Sequence, residues 1–386
     1  MRYLIISDCF YPETKSISRH IYDLLKEISN KNDHAILIFP KDINKKNNKK
    51  NLYIKNIKYL PIEIKVIKTK NFIQRGLKEL ILPYKILNLL KKKKIKVDKI
   101  IVFSPSIFLG LIFRKIKLIF KCKIVLIIRD VFPNWYIQKN KWQILNPLIW
   151  IAKIILKIQL NYSDIIATQS KYDQIKLKEN NPKKKIITIY NWVTKKNVKQ
   201  SKKCFDICRF VFVGTMGPAQ NWVRIIDAIE ILNYKNFIFE IYFIGTGSKL
   251  EFLKFRLKKL IEKKRVYFLN TIKEDKFIDY ITKFTVGIIS LDEKILFNNF
   301  PGKFYSYLES NLPILADVSP SQEISKIIKK NKLGLVSNPK NKNDLANKME
   351  KFIKKDFSTK NLNIKYNNVY KKKFLTSVAY KKIKDC

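Results

Sequence analysis

The chain has 386 residues, 46% of them hydrophobic, with 9 glycines and 13 prolines, which excludes a fibrous or disordered protein and is long enough for two cores. Lysine and arginine number 79 against 31 acids, a net charge of +48. Lysine, asparagine and isoleucine dominate throughout, as an AT-rich coding sequence produces, yet a chain this basic is still drawn to anionic surfaces, either a membrane or, non-specifically, nucleic acid. Cys9, Cys122, Cys204, Cys208 and Cys386 show no paired metal-type spacing, and only His20 and His34 are available to join them. A zinc site is therefore not expected, and a reduced cytosolic chain is.

The N-terminus enters the apolar run Tyr3–Ser7, too short for a signal peptide and suited to a first buried strand. Further runs follow at Ala35–Phe39, Lys99–Phe103, Ile124–Ile128, Ile165–Thr168 and Ile186–Ile189. A second series occupies Phe210–Val213, Phe239–Ile244, Val266–Leu269, Val286–Ser290, Pro313–Ala316 and Gly334–Val336. Short apolar runs separated by amphipathic stretches predict buried parallel strands with crossover helices, hence two doubly wound α/β domains. The break is expected in the lysine-rich stretch Thr194–Lys203. The expected domains are 1–195, 196–365 and a last helical segment, 366–386. Residues 144–160 are the most apolar long stretch; Lys153 and Lys157 interrupt them one helical turn apart, so an amphipathic helix is predicted rather than a membrane span. Its apolar face either packs on the domain core or lies on a membrane.

In open parallel sheets ligands bind beyond the carboxyl ends of the strands, and five segments fall there. The turn after the first strand carries Glu13, Lys15, Ser16, Ser18, Arg19 and His20, of which Ser18 and Arg19 are candidates for an acceptor or phosphate. Arg129 and Asp130 end a first-domain strand ahead of Phe132-Pro133-Asn134-Trp135; Asp130 suits a base or an orienter of a sugar hydroxyl and Arg129 a phosphate contact, or the two form a structural ion pair. Gly214, Gly217 and Gln220 follow one second-domain strand, and Gly245 and Gly247 another. Such glycines either let backbone amides approach a phosphate or simply make tight turns. Last come Asn299, Phe300, Pro301, Gly302 and Lys303. Proline suits a helix start, Gly302 permits close approach, and Lys303 adds a charge beside the free amides of the first turn. Together these either balance a diphosphate without a metal or make an ordinary capped helix with a solvated lysine.

In this order the segments resemble the WbuB-type branch of the large family 4 of retaining GT-B glycosyltransferases, whose members build bacterial surface polysaccharides such as O-antigen and capsule. The resemblance runs through Asp8–Pro12, Arg129–Trp135, Tyr190-Asn191-Trp192, the glycine segments, Asn299–Lys303 and Leu312–Leu315. It implies a GT-B fold: two facing Rossmann-like domains with a C-terminal helix returning to the first. It also implies a UDP-sugar donor such as UDP-L-FucNAc, a polyprenyl-diphosphate-linked glycan acceptor, an anionic membrane surface as partner and a peripheral cytoplasmic location. Neither a metal, a cofactor nor a specific nucleic acid is implied. Aligned on Leu312-Pro313, the wider family's glutamate pair falls at Asn298 and Ser306, which moves the phosphate burden toward Lys303 and the helix amides. The rival readings are a GT-B UDP-sugar epimerase and a basic module that binds membrane or nucleic acid without catalysis.

Overall fold

The computed structural model describes residues 1–11, 16–42, 53–64, 72–104, 106–129, 145–194, 206–272, 274–292 and 300–386. The chain divides into two units, Met1–Thr194 with Lys373–Cys386, and Lys195–Lys372.

The first unit holds strands β1 (Arg2–Ser7), β2 (His34–Asp42), β3 (Ile57–Ile64), β4 (Lys99–Ser104), β5 (Lys123–Ile128), β6 (Ile165–Thr168) and β7 (Lys185–Thr188). They form one parallel sheet in the order β3-β2-β1-β4-β5-β6-β7. Its helices are α1 (Ser16–Asn30), α2 (Phe72–Lys92), a 3-10 turn (Ile107–Ile112), α3 (Phe113–Phe120), α4 (Pro147–Tyr162) and α5 (Lys171–Asn180). Side chains alternate along each strand, so Tyr3 and Ile5 join one core with α1 while Leu4 and Ile6 join another beneath α2, α3 and α4. With both faces covered, these strands have no polar side to show. That is why β1 and β4 read as continuous apolar runs.

The second unit holds β8 (Cys208–Val213), β9 (Phe239–Ile244), β10 (Val266–Leu269), β11 (Val286–Ser290), β12 (Ile314–Asp317) and β13 (Gly334–Ser337). Its helices are α6 (Trp222–Tyr234), α7 (Leu250–Arg256), α8 (Lys258–Glu262), α9 (Glu274–Ile281), α10 (Gly302–Glu309), α11 (Glu323–Lys330), α12 (Asp344–Ile353) and α13 (Leu362–Val369). The parallel sheet runs β10-β9-β8-β11-β12-β13. Phe210, Phe212 and Phe243 pack there against Trp222, Ile226 and Met349. Two Rossmann-like parallel sheets in one chain are the α/β, GT-B class expected from the sequence.

Two differences have physical causes. β3 escapes sequence reading because it is an edge strand with Pro61 at its centre and only Ile62 buried, so no apolar run marks it. The C-terminal segment is not one helix from residue 366. Tyr366 belongs to the second unit, where its hydroxyl donates to Leu312 O (2.6 Å) and Leu333 O (3.0 Å). A π turn (Tyr370–Phe374) then interrupts the helix, and α14 (Thr376–Lys384) packs in the first unit. There the buried Lys99 donates to Ile383 O (2.9 Å) and Lys384 O (2.8 Å), satisfying carbonyls that a helix end leaves open.

Candidate functional site

In the second unit β8 and β11 are neighbours although β9 and β10 lie between them in sequence. This is the point where strand order reverses, and a crevice opens at the carboxyl ends of such strands. Tyr307 of α10 fixes what faces it. Its buried hydroxyl donates to Val211 O of β8 (3.0 Å) and to Ile288 O of β11 (3.1 Å), tying the helix across both strands. Burial pushes the phenol far above its ordinary range, so the donor is permanent.

The two glycine turns form one structure. Gly214 N–H donates to Ile244 O (2.9 Å), Met216 N–H to Thr246 O (2.8 Å) and Lys249 N–H to Met216 O (3.0 Å). Gly245 has φ +138°, and a Cβ there would sit 2.2 Å from Gly214 O. A Cβ on Gly247 would likewise meet Met216 O at 2.1 Å. The second pair of glycines therefore makes room for the carbonyls of the first turn, a role that spacing alone does not reveal. Gln220 also serves the loop: its Oε1 accepts from Gly217 N–H (3.1 Å), while Gly217 O accepts from Trp222 Nε1 (2.6 Å).

What remains for an anion lies at the start of α10. Pro301 is the N-cap, in extended conformation and without a side-chain cap. The first amide to bond back is Phe304 N–H, to Pro301 O (2.9 Å), so Gly302 and Lys303 N–H precede the helical ladder. Phe300 is buried against Phe304 (5.4 Å between rings) and anchors the approach to the helix. The part-buried Lys303 reaches back over β8: its Nζ stands 4.0 Å from the ring centre of Phe212, and its Cε lies 3.9 Å from where a Gly214 Cβ would be. The ammonium makes no hydrogen bond or ion pair with a described residue. Burial against this apolar wall pushes its pKa down to about 8. A cation with no counter-ion among the described residues, beside helix amides and the dipole of α10, is a candidate to receive an anion.

Asn299 and Asn298 lie outside the described residues, as do Asp130, Glu13, Lys15 and 132–135. The remaining first-unit candidates are placed. Ser18 is fully buried, with Oγ 3.9 Å from Cys9 Sγ, and Arg19 pairs with Asp23 one turn on (3.9 Å). Arg129 directly follows β5, within electrostatic reach of His20. Burial first, then the charges of Arg129 and Arg19, hold that imidazole neutral. Trp192 Nε1 donates to His20 O (2.9 Å), with the two rings 5.6 Å apart.

Sequence reading missed the brace behind the second-unit site. Arg224 Nε and Nη2 bind Asp317 Oδ1 at 3.2 and 3.1 Å, and the same carboxylate accepts from Ser337 Oγ (2.5 Å). Arg224 also donates to Pro339 O (2.9 Å). This links α6, β12 and the end of β13. The only sequence signal was a lone Asp ending an apolar strand.

Residues 209–371 match the family described as Glycosyl transferases group 1. A curated relative, "Probable glycosyltransferase WbjE" of Pseudomonas aeruginosa, is 22% identical over 249 residues; the match spans 61% of this chain and 61% of the relative. Among solved structures, the apo lipopolysaccharide outer core galactosyltransferase WaaB superposes with TM-score 0.64 at 16% identity, covering 99% of this chain and 97% of that one. Anabaena Alr3699/HepE in complex with UDP and glucose superposes with TM-score 0.68 at 13% identity, over 100% and 98%. The corner made by β8, the double glycine turn and α10 lies inside the matched segment. Residues 209–371 are thus similar to the glycosyl transferases group 1 family, in a chain whose fold is GT-B.

Proposed function

We propose that the chain is a retaining glycosyltransferase that moves a sugar from a UDP-sugar, of the N-acetylated 6-deoxyhexose type such as UDP-L-FucNAc, to a glycan on a polyprenyl diphosphate. The observation that carries the reading is Lys303, a part-buried ammonium with no counter-ion among the described residues, set between the Gly214 turn and the first amides of α10. The complex of HepE with UDP and glucose, a neighbour along the whole chain, supports a uridine diphosphate as the occupant. In the transition state the bond from the anomeric carbon to the β-phosphate oxygen breaks, and its electron pair leaves with UDP. Lys303 and the α10 amides stabilise that growing charge. The acceptor oxygen bonds the anomeric carbon on the same face, and its proton passes to the departing phosphate oxygen. This route needs neither a metal nor a covalent sugar–enzyme intermediate. Assembly of O-antigen, capsule or a similar polysaccharide at the cytoplasmic face of the membrane is the setting such an acceptor requires.

A thermal-shift screen of nucleotide sugars tests the donor assignment, since a ligand that binds only the folded state raises its stability. UDP and UDP-sugars should raise the melting temperature, and ADP- and GDP-sugars should not. Turnover of a donor without any acceptor into its epimer would instead mark the chain as an epimerase. Mass-spectrometric capture of a glycosyl-enzyme adduct would overturn the same-face route.

A further inference from the structure

Helix α4 is apolar on two faces. Its inner face, Ile149, Ala152, Ile155, Leu156 and Leu160, is buried in the first unit's core. Gln159 locks that orientation by donating from Nε2 to Ser104 Oγ (2.6 Å), and Asn146 caps the helix start by accepting from Leu148 N–H (2.9 Å). The outer face should then be polar, as on an ordinary surface helix. It carries instead Trp150 (67% exposed), Ile151 (52%) and Ile154 (49%), spaced to form one stripe. Neighbouring α3 adds Leu118 (68% exposed) and Ile119. Interleaved with these are Arg114, Lys115, Lys153 and Lys157, and neither helix contains an acid.

We propose that this face of α3 and α4 docks the protein on an anionic lipid bilayer, with the Trp150 stripe entering the headgroup region and the cations meeting lipid phosphates. The charge pattern selects this occupant. A second copy would set the same arginines and lysines against one another, whereas anionic headgroups neutralise them. An exposed tryptophan beside isoleucines and lysines is the composition of an interfacial helix. Among the described residues no helix is long and apolar enough to cross a membrane, so this face would lie on the bilayer rather than span it. The inference deepens the lipid-linked acceptor reading by naming the surface that meets the lipid. It draws only the location from that reading, and the assay below needs no turnover, so either can fail without the other.

The test is co-sedimentation of the full chain with vesicles of phosphatidylcholine, alone or mixed with phosphatidylglycerol. Binding should be about tenfold or more stronger to the mixed vesicles and should weaken with salt. The double variant Ile151→Glu/Ile154→Glu changes only exposed side chains, so its melting temperature and UDP-induced shift should match the parent while vesicle binding falls about tenfold or more. Quenching of tryptophan emission by brominated lipid should drop in Trp150→Phe. Equal binding to neutral and anionic vesicles, or unchanged binding of the double variant, would overturn the proposal. So would a parent dimer in sedimentation equilibrium that the double variant abolishes, since a second copy would then cover the face.

Discussion

Replacing Lys303 by methionine removes the charge and keeps the aliphatic stem over Phe212. The ammonium is depressed from 10.5 to about 8 by burial, which corresponds to roughly 3 kcal/mol of unfavourable charge burial at neutral pH. The contact with the Phe212 ring returns about 1 kcal/mol of this. Lys303→Met should therefore stabilise the second unit by about 2 kcal/mol, or roughly 4–8 °C for a unit of this size. The sign of the pH dependence follows. The unfolded lysine keeps its proton up to 10.5, while the folded one releases it from about 8. The unfolded state thus binds more protons between those values, so the parent gains stability as pH rises through that window and the variant does not. Ligand affinity moves the other way. UDP should bind the parent roughly ten- to a hundredfold more tightly than the variant at neutral pH, the worth of a charged hydrogen bond, and that advantage should fade above about pH 8. Scanning fluorimetry and titration calorimetry with UDP, on both sides of that pH, read these effects. A variant no more stable than the parent, or one that binds UDP equally well, would refute the reasoning.

Gly245→Ala places a Cβ 2.2 Å from Gly214 O at φ +138° and should cost about 3 kcal/mol in urea unfolding, with loss of the UDP shift. Gly302→Ala meets nothing within 4 Å and should melt at or above the parent; weaker UDP binding in that variant would show that the phosphate approaches this amide. Asp317→Ala strands Arg224, whose side chain is only 11% exposed, and should destabilise the second unit by about 3–5 kcal/mol. Because folding holds His20 neutral well below its ordinary 6.5, the unfolded chain takes up the extra proton below that pH, so first-unit stability should fall with acid and His20→Gln should flatten the decline.

The fold was readable wherever a strand is buried on both faces, because such a strand must be apolar along its whole length. β1, β4, β8 and β11 are of this kind. Where one side of a strand is open the signal fails, as at β3, whose alternation is broken by Pro61. Tyr366 shows a second limit. A tyrosine in an amphipathic pattern does not say which of two cores will take it, and hydrogen bonds to Leu312 O and Leu333 O decide. At the site, Pro301-Gly302-Lys303 was recognisable as a helix start because the local chemistry resides in adjacent residues.

The roles of the glycines and of Lys303 depend on partners far away in sequence. Gly245 is required by the carbonyl of Gly214, and Gly247 by that of Met216, contacts that exist only once β8 and β9 are paired. Lys303 is depressed toward 8 because Tyr307 ties α10 across β8 and β11, so that the ammonium lies over Phe212 with no described counter-ion. Composition and periodicity by themselves determined a basic chain of two parallel α/β units with glycine turns after the strands, since those properties follow from short stretches of residues. Only the tertiary structure decided which turn serves the other, which lysine lies over β8 with no described counter-ion and which face of α4 stays outside, because each depends on burial and on pairing across the sheet.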